Sequence, residues 1–326
     1  MSEGYNGQIS EETRKIAKDE LREDESSRSQ ALVALRDWVE KNPKIKWSRT
    51  DDRYLLRFLR FKKFSVPMAQ ECLERYVLLR QTFFNNVFRS LDYKQAEVEF
   101  LLDSGYIFAA PGRDKFGRRW IINRPGVFDP HKFTNRDMIR VHGVVYETLM
   151  EDEENQVRGF VHFADCSGVT LPFLTLFTPK EAVRIVKNGE KTLPMRHKEV
   201  HVINFISSFK YVLDWGMTLM SEKIRKRVKI YATAEEAAKT LDVNMLPKEY
   251  GGNVPMSEMI ASFKKELAEH RQTILDHDKI EMRLELFTDP AKEGAISALK
   301  AGATNESCAP YKMDVLTGSF RKLEVD

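Results

Sequence analysis

The most distinctive chemistry in this chain is a run of cations that directly follows an apolar helical stripe. Between residues 209 and 220, apolar or small residues recur at spacings of three and four, which predicts one apolar helix face: Phe209, Val212, Leu213, Gly216, Met217 and Met220. The segment SEKIRKRVK follows at 221–229. An apolar face beside a cationic cluster suits contact with a hydrophobic molecule and with an anionic surface.

Two histidines in HKEVHVINF, His197 and His201, stand four residues apart, a spacing that could bind zinc on a helix. The β-branched residues around them predict a strand instead, where four residues span roughly 13 Å. Two histidines so far apart cannot share one zinc ion. We therefore expect no metal site, and we interpret His201 as a hydrogen-bonded core residue.

Motifs of nucleotide binding and of nucleophilic catalysis are missing from the sequence. The chain has no GxSxG, no GxxxxGK[ST] and no GxGxxG spacing. Asp165 ends a predicted strand, which is where α/β enzymes keep catalytic carboxylates. It is the one position that favours an enzyme, and by itself it is equally compatible with a structural role.

The sequence predicts a helical N-terminal part followed by an α/β part. The first ~90 residues are helical throughout, with Thr50 or Asp51 as a cap and Pro67 in a first turn. Their stripe of Cys72, Leu73, Tyr76, Leu79 and Phe83 is typical of a helix core. From about residue 100, apolar runs alternate with helical patterns, which predicts βαβ units on a largely parallel sheet.

Capping boxes predict where two of the later helices begin. Thr134 with Asp137 and Thr178 with Glu181 each have the required spacing of three residues. The strands between them are predicted at 105–108 and 119–122, then in GFVHFADCSG and EVHVINF.

Composition places the chain among ordinary globular proteins: of its 326 residues, 42% are hydrophobic and 31% are charged. No apolar run approaches the roughly 20 residues that a membrane-spanning helix needs. The polar segment 1–20 has no signal-peptide core, and Cys72, Cys166 and Cys308 are too few and too widely spaced for a disulfide framework. These features predict a cytoplasmic protein with reduced thiols.

Charge is distributed unevenly behind a net charge of +3. Residues 1–30 carry a net charge of −3, whereas residues 180–230 hold twelve Lys or Arg against five Asp or Glu, a net charge of +7. Such a basic segment is either a solvated helix face or a surface for phosphates on a membrane or a nucleic acid.

Five blocks together resemble the CRAL-TRIO family of lipid-binding and lipid-transfer proteins, especially its members that bind tocopherol or retinaldehyde. They occur in the family's order: DDRYLLRFLRFKKFSV at 51–66, RRWIINRPGVFDP at 118–130, GFVHFADCSGV at 159–169, EVHVINF at 199–205 and LPKEYGG at 246–252. The resemblance implies an α/β fold whose sheet is the floor of an apolar cavity and whose helix 206–220 is a mobile gate. It also implies a structural role for Asp165.

The resemblance divides the chain into an N-terminal helical domain (1–92), a lipid-binding domain (93–277) and a C-terminal extension (278–326). It also implies which residues line the cavity and its gate: Ile139, His142, Tyr146, Phe163, Ile185, Phe205, Phe209, Val212 and Leu213. Any of these residues could instead be ordinary core.

In transfer proteins of the family, four basic side chains hold phosphoinositide head groups. One follows the LLRFLR helix, one precedes the HVIN strand and two follow the gate helix, which here correspond to Lys62, Arg196, Lys223 and Arg227. All four positions are basic in this chain.

Two departures from the family pattern concern the gate. Family members often have a proline shortly after the Asn of HVIN, where this chain has Phe205-Ile206. Many also have Lys-Pro-Phe near the end of the gate, where this chain has Met217-Thr218-Leu219. The hinge of the gate is therefore expected to differ.

The function that these features predict is binding of a small hydrophobic molecule and its exchange at phosphoinositide-containing membranes. We expect a monomer that associates peripherally with membranes, without a cofactor, a catalytic residue or a nucleic-acid partner. Two alternatives stay open, namely a phosphoinositide-sensing adaptor that carries no cargo and a lipid-modifying enzyme.

Overall fold

The structure is a computed structural model that describes residues 9–295, and its N-terminal part is helical. The first elements are α1 (Glu11–Leu21), α2 (Glu25–Lys41), the short strand β1 (Ile45–Trp47), α3 (Asp52–Phe61) and α4 (Val66–Thr82). Asp51 caps α3 by accepting a hydrogen bond of 3.1 Å from the Tyr54 N–H, and Pro67 lies in the first turn of α4. Both features were predicted from local sequence.

The rest of the chain forms an α/β unit. Its elements are α5 (Ala96–Asp103), β2 (Ile107–Arg113), β3 (Arg119–Asn123), α6 (Asn135–Met150), α7 (Glu153–Arg158), β4 (Phe160–Asp165), α8 (Leu171–Leu174), α9 (Pro179–Lys191), β5 (His197–Ile203), α10 (Lys210–Leu219), α11 (Glu222–Arg225), β6 (Val228–Tyr231), α12 (Ala234–Ala238), α13 (Met256–Asp276), β7 (Glu281–Met282) and α14 (Asp289–Lys292). The strand order is β2-β3-β4-β5-β6. Within this described five-stranded sheet, only the β2–β3 pair is antiparallel, so the predicted class with a mostly parallel sheet is confirmed.

Helices α6 and α9, which matter most for the site, begin at the predicted capping boxes. In each, the threonine hydroxyl accepts from the N–H three residues on and the acidic side chain accepts from the threonine N–H. Thr134 and Asp137 form the first box, and Thr178 and Glu181 form the second. The caps fix where each helix starts, and so which residues share a face.

The central strand β4 presents different residues to the two faces of the sheet. Phe163 is fully buried, and its ring lies 5.1 Å from the Tyr250 ring. His162, the preceding residue, points to the opposite face, where its ring lies 6.4 Å from that of Tyr146 on α6. The face that carries His162 is therefore the one that α6 covers.

Asp165 joins three of the sequence blocks. Its carboxylate accepts hydrogen bonds from Tyr250 Oη at 2.7 Å and from Asn204 Nδ2 at 2.9 Å. Partial burial raises the pKa of this carboxyl, but hydrogen bonds from Ser167, Asn204 and Tyr250 outweigh burial and keep the pKa low. The structural interpretation of Asp165 agrees with this network.

Glycine at position 252 explains the end of the LPKEYGG block. A Cβ on Gly252 would lie 1.7 Å from the carbonyl oxygen of Leu246, so no other residue fits. The close approach turns the chain after Tyr250 and keeps that ring against Phe163.

Buried ion pairs connect the N-terminal helices to the α/β unit. Arg57 on α3 contacts Glu147 at 3.2 Å and Glu151 at 2.6 Å, and Arg60 contacts Glu153 at 2.9 Å. Removing one partner of such a pair would leave an uncompensated buried charge, at a cost of about 3–5 kcal/mol. The two parts of the chain are thereby held in one arrangement.

The segment after α13 returns to the N-terminal helices. Strand β7 pairs with β1, and Phe287 and Ala291 are buried in the same core as α3 and α4. The predicted domain boundaries at 92 and 277 stay predictions, and the extension beyond residue 295 lies outside the described residues. Within residues 9–295, every helix is too short or too polar to cross a bilayer.

Candidate lipid cavity and basic cluster

A cavity of about 430 Å³ lies between helices α4, α6 and α9. Helix α6 contributes residues at helical spacing, including Ile139, His142 and Tyr146. Helix α9 contributes Ile185 and Gly189 from one of its faces. The cavity wall is largely apolar, and the volume is within the usual range for pockets that bind small molecules. The cavity therefore suits a small hydrophobic molecule.

The structure thus brings four of the predicted cavity residues together: Ile139, His142, Tyr146 and Ile185. It places the other five elsewhere. Within the described part of the chain, neither the sheet nor α10 contributes a residue to the cavity wall, so Phe163, Phe205, Phe209, Val212 and Leu213 do not line it. A role for these five in binding stays a prediction that would require a rearrangement.

Helix α10, the predicted gate, lies against α9 and buries none of its own residues. Tyr211 is 86% exposed, Trp215 is 41% exposed and Val212 is 40% exposed. A single helix that exposes three large apolar or aromatic side chains is suited to contact another apolar phase.

Sequence reasoning missed the contribution of α4. Tyr76, Leu79 and Phe83 line the cavity, although their stripe was interpreted as helix core. Phe88, in the segment after α4, also lines it. The signal was present as aromatic residues at a spacing of three to four, but it does not distinguish a core from a cavity wall.

The polar groups of the cavity are hydrogen-bonded and mostly neutral. His142 lies 3.1 Å from the hydroxyls of both Tyr106 and Tyr146, and burial lowers the pKa of His142 to about 4. Also on α6, Glu147 accepts hydrogen bonds from Tyr76 and Arg80 of α4. Among the described residues, Arg80 and Glu147 are the charged side chains of the cavity wall, and they are hydrogen-bonded to each other.

Three of the predicted phosphoinositide residues lie close together. Burial and the neighbouring cations Arg227, Lys63 and Arg196 all lower the pKa of Lys223. Burial and Arg196 likewise lower the pKa of Arg227. A phosphate group bound among these cations would relieve the repulsion that lowers their pKa values.

Lys62, the fourth predicted residue, stands slightly apart. Its Nζ donates to the carbonyl oxygen of Lys191 at 3.1 Å, and burial lowers its pKa. The next residue, Lys63, is the one in electrostatic reach of Lys223. Here we call Lys63, Arg196, Lys198, Lys223 and Arg227 the basic cluster, and Lys63 and Lys198 are the members that sequence reasoning missed.

The remaining histidines are part of the sheet. His201 is buried, donates a hydrogen bond of 2.9 Å from Nε2 to the Glu199 carboxylate and stacks on Trp120, as expected of a core residue. His197 Nδ1 lies 2.8 Å from His162 Nε2. Among residues 9–295, His, Cys, Asp and Glu side chains do not gather in threes as a metal site requires.

Comparisons with known proteins agree with this fold. A sequence profile of the CRAL/TRIO domain matches residues 103–252. The chain is 32% identical to the mouse (Mus musculus) alpha-tocopherol transfer protein-like over 250 residues, which cover 76% of this chain and 72% of the relative. It is 28% identical to human (Homo sapiens) clavesin-2 over 292 residues, which cover 87% and 86% of the two chains.

Among solved structures, the crystal structure of Sfh5 has a similar fold. The TM-score is 0.52 at 15% identity, and the match covers 78% of this chain and 99% of that one. A helical N-terminal part, a mostly parallel sheet and an apolar cavity together make an α/β protein with room for a hydrophobic molecule. The chain belongs to the CRAL/TRIO family of lipid-binding and lipid-transfer proteins.

Proposed function

We propose that the protein binds one small hydrophobic molecule, of tocopherol or retinoid size, in the cavity between α4, α6 and α9. The observation that carries this proposal is the cavity itself, which is largely apolar and about 430 Å³ in volume. Burying the apolar surface of such a ligand would contribute on the order of 8–10 kcal/mol before ordering costs. A molecule that is nearly insoluble in water would be shielded there.

The second part of the proposal is exchange of this cargo at an anionic membrane that contains phosphoinositides. Two features support it. Helix α10 exposes Tyr211, Val212 and Trp215, and the cluster members Lys223 and Arg227 follow α10 directly in the chain. Apolar side chains would enter the interface while the cations contact lipid phosphates.

Helix α10 would then act as the gate indirectly. It contacts α9, whose other side lines the cavity, so movement of α10 into a membrane would release α9 and open a path to the cargo. The energy of membrane contact would offset part of the energy of cargo burial.

A transfer assay tests both parts together. Donor vesicles carry fluorescent tocopherol or retinoid, and acceptor vesicles contain a phosphoinositide. The protein should accelerate transfer in proportion to its concentration, and acceptor vesicles of neutral lipid should receive less. If the protein accelerates the transfer of none of these cargoes, the adaptor alternative is favoured. If the cargo is chemically changed, the enzyme alternative is favoured.

A further inference from the structure

A hydrogen-bonded chain of three side chains leads from the protein interior to the cavity. Tyr106 Oη lies 3.1 Å from His142 Nε2, and His142 Nδ1 lies 3.1 Å from Tyr146 Oη. His142 and Tyr146 line the cavity, whereas Tyr106 is 1% exposed and does not. The chain therefore has one buried end and one end at the ligand.

All three groups are neutral at physiological pH. Burial lowers the pKa of His142 to about 4 and raises the pKa values of Tyr106 and Tyr146. A neutral imidazole carries one N–H and one acceptor nitrogen. The two hydrogen bonds of His142 must therefore both donate toward the cavity or both donate away from it.

The buried end decides the direction. The Tyr106 hydroxyl is hydrogen-bonded to one group that can accept its proton, His142 Nε2, among the residues that the structure describes. The Asn123 side chain acts on the Tyr106 hydroxyl as a donor, which opposes the rise of the Tyr106 pKa on burial, and its amide nitrogen also donates to the Tyr106 carbonyl oxygen at 3.1 Å. If His142 donated to Tyr106 instead, a buried hydroxyl proton would have no acceptor, which is unfavourable. Tyr106 therefore donates to His142, and His142 donates to Tyr146.

We propose that Tyr146 presents its own hydroxyl proton to the cavity, so that the preferred ligand carries a neutral acceptor oxygen, such as a carbonyl or ester, near α6. This inference rests on the proposed cargo site and names the class of cargo. An ionised carboxylate would be disfavoured, because Arg80, the cation at the wall, already donates to Glu147 and to the Phe88 carbonyl. A pure hydrocarbon would leave the Tyr146 proton unmatched.

Two matched probes test the inference: retinaldehyde, and its hydrocarbon analogue in which a methyl group replaces the aldehyde. The wild type should bind the aldehyde about three- to tenfold more tightly, as one added hydrogen bond implies. Tyr146→Phe should bring this ratio to about one, and saturable binding of the hydrocarbon analogue by this variant shows that its cavity is intact. Tyr106→Phe, which removes only the positioning group, should reduce the ratio.

The carbonyl stretching frequency of bound retinaldehyde supplies a second readout. It should be lower in the wild type than in either variant, because hydrogen-bond donation weakens the C=O bond. A full aldehyde preference in Tyr146→Phe would overturn the donor role, and a wild-type frequency in Tyr106→Phe would overturn the relay. Failure of both probes to saturate the wild type would instead contradict the proposed cargo function.

A second, independent observation concerns the basic cluster. Glu20 at the end of α1 places Oε2 2.6 Å from Arg196 Nη2 and 2.9 Å from Lys198 Nζ. Partial burial raises the pKa of Glu20, but hydrogen bonds from Lys198 and Arg196 outweigh burial and bring it to about 2. The carboxylate is thus ionised, and it stands where a phosphate oxygen would make the same charge-assisted contacts.

From this geometry we infer that Glu20 is an internal competitor of membrane phosphates at the basic cluster. Helix α1 is held nearby by Ala17 and Leu21, which pack on Val157. Docking on an anionic membrane would displace the Glu20 side chain, which is 44% exposed and able to turn outward. The contact would keep the protein off weakly anionic surfaces, and it rests on the proposed membrane function.

Flotation with phosphoinositide-containing vesicles tests the competition. Glu20→Gln should bind about fivefold more tightly than the wild type, because one competing charge is removed. Glu11→Gln is the matched control, since Glu11 lies on the same helix, is 91% exposed and pairs within the helix with Arg14. Equal binding by the two variants would overturn the competition, whereas absence of binding by the wild type would contradict the membrane function itself.

Discussion

Replacing Gly189 with phenylalanine should weaken cargo binding strongly while leaving the protein folded. Gly189 lines the cavity, and a Cβ built there meets no atom within 4 Å. The added ring would therefore enter the space that the ligand needs. Each ligand carbon that is displaced loses about 0.8 kcal/mol, so four of them would weaken binding roughly 200-fold.

The matched control for this variant is Gly189→Ala. Both changes remove a glycine from the interior of α9 and are expected to stabilise the helix by up to about 1 kcal/mol. Alanine adds only a methyl group, so its cargo affinity should stay within about threefold of the wild type. Binding titrations with retinaldehyde or tocopherol measure both. A folded Gly189→Phe protein with wild-type affinity would show that the cargo lies elsewhere.

The double change Lys223→Glu and Arg227→Glu should have the largest effect on membrane binding. Neither residue forms an ion pair with a carboxylate in the described part of the chain, in contrast to Arg196 and Lys198, which Glu20 holds. The change reverses four units of charge. At about 1 kcal/mol for each unit, vesicle binding should fall by roughly three orders of magnitude at low salt.

Flotation with phosphoinositide-containing vesicles measures the loss, and cargo affinity in solution should stay nearly unchanged. Lys115→Glu with Lys132→Glu is the matched control, because both lysines are exposed and lie outside the basic cluster. Raising the salt concentration should weaken wild-type binding, since exposed charges are screened. If the cluster variant floats like the control variant, the cluster is only a solvated face.

Features that depend on neighbouring residues could be predicted from the sequence. Asp51, Thr134 and Thr178 cap helices because each cap is completed within three residues along the chain. Those caps set the helix faces, so the shared face of Ile139, His142 and Tyr146 followed from their spacing, whereas their place at a cavity was implied by the resemblance.

The face of a buried strand could not be predicted in the same way. Strand β4 is apolar on both sides, so its sequence does not show whether Phe163 or His162 points toward α6. The structure places His162 on that side. A shift of one residue reverses every side chain, so the resemblance that named Phe163 could not show that this residue lies on the face away from α6.

Contacts between residues far apart in the sequence could not be predicted either. Glu20 meets Arg196 across 176 residues, and no local pattern points to that pairing. Lys63 and Phe64 adopt left-handed backbone conformations after α3, with φ values of 49° and 59°. This turn changes the direction of the chain at Lys62 and brings Lys63, rather than Lys62, within reach of Lys223.

Native mass spectrometry of the purified protein, followed by lipid extraction, tests the central claim most directly. The account predicts one neutral lipid per protein chain, with an acceptor oxygen and a mass in the range of tocopherols and retinoids. The same measurement on Gly189→Phe should show an empty chain. A wild-type protein that stays empty after exposure to such lipids, or that carries a two-chain phospholipid, would contradict it.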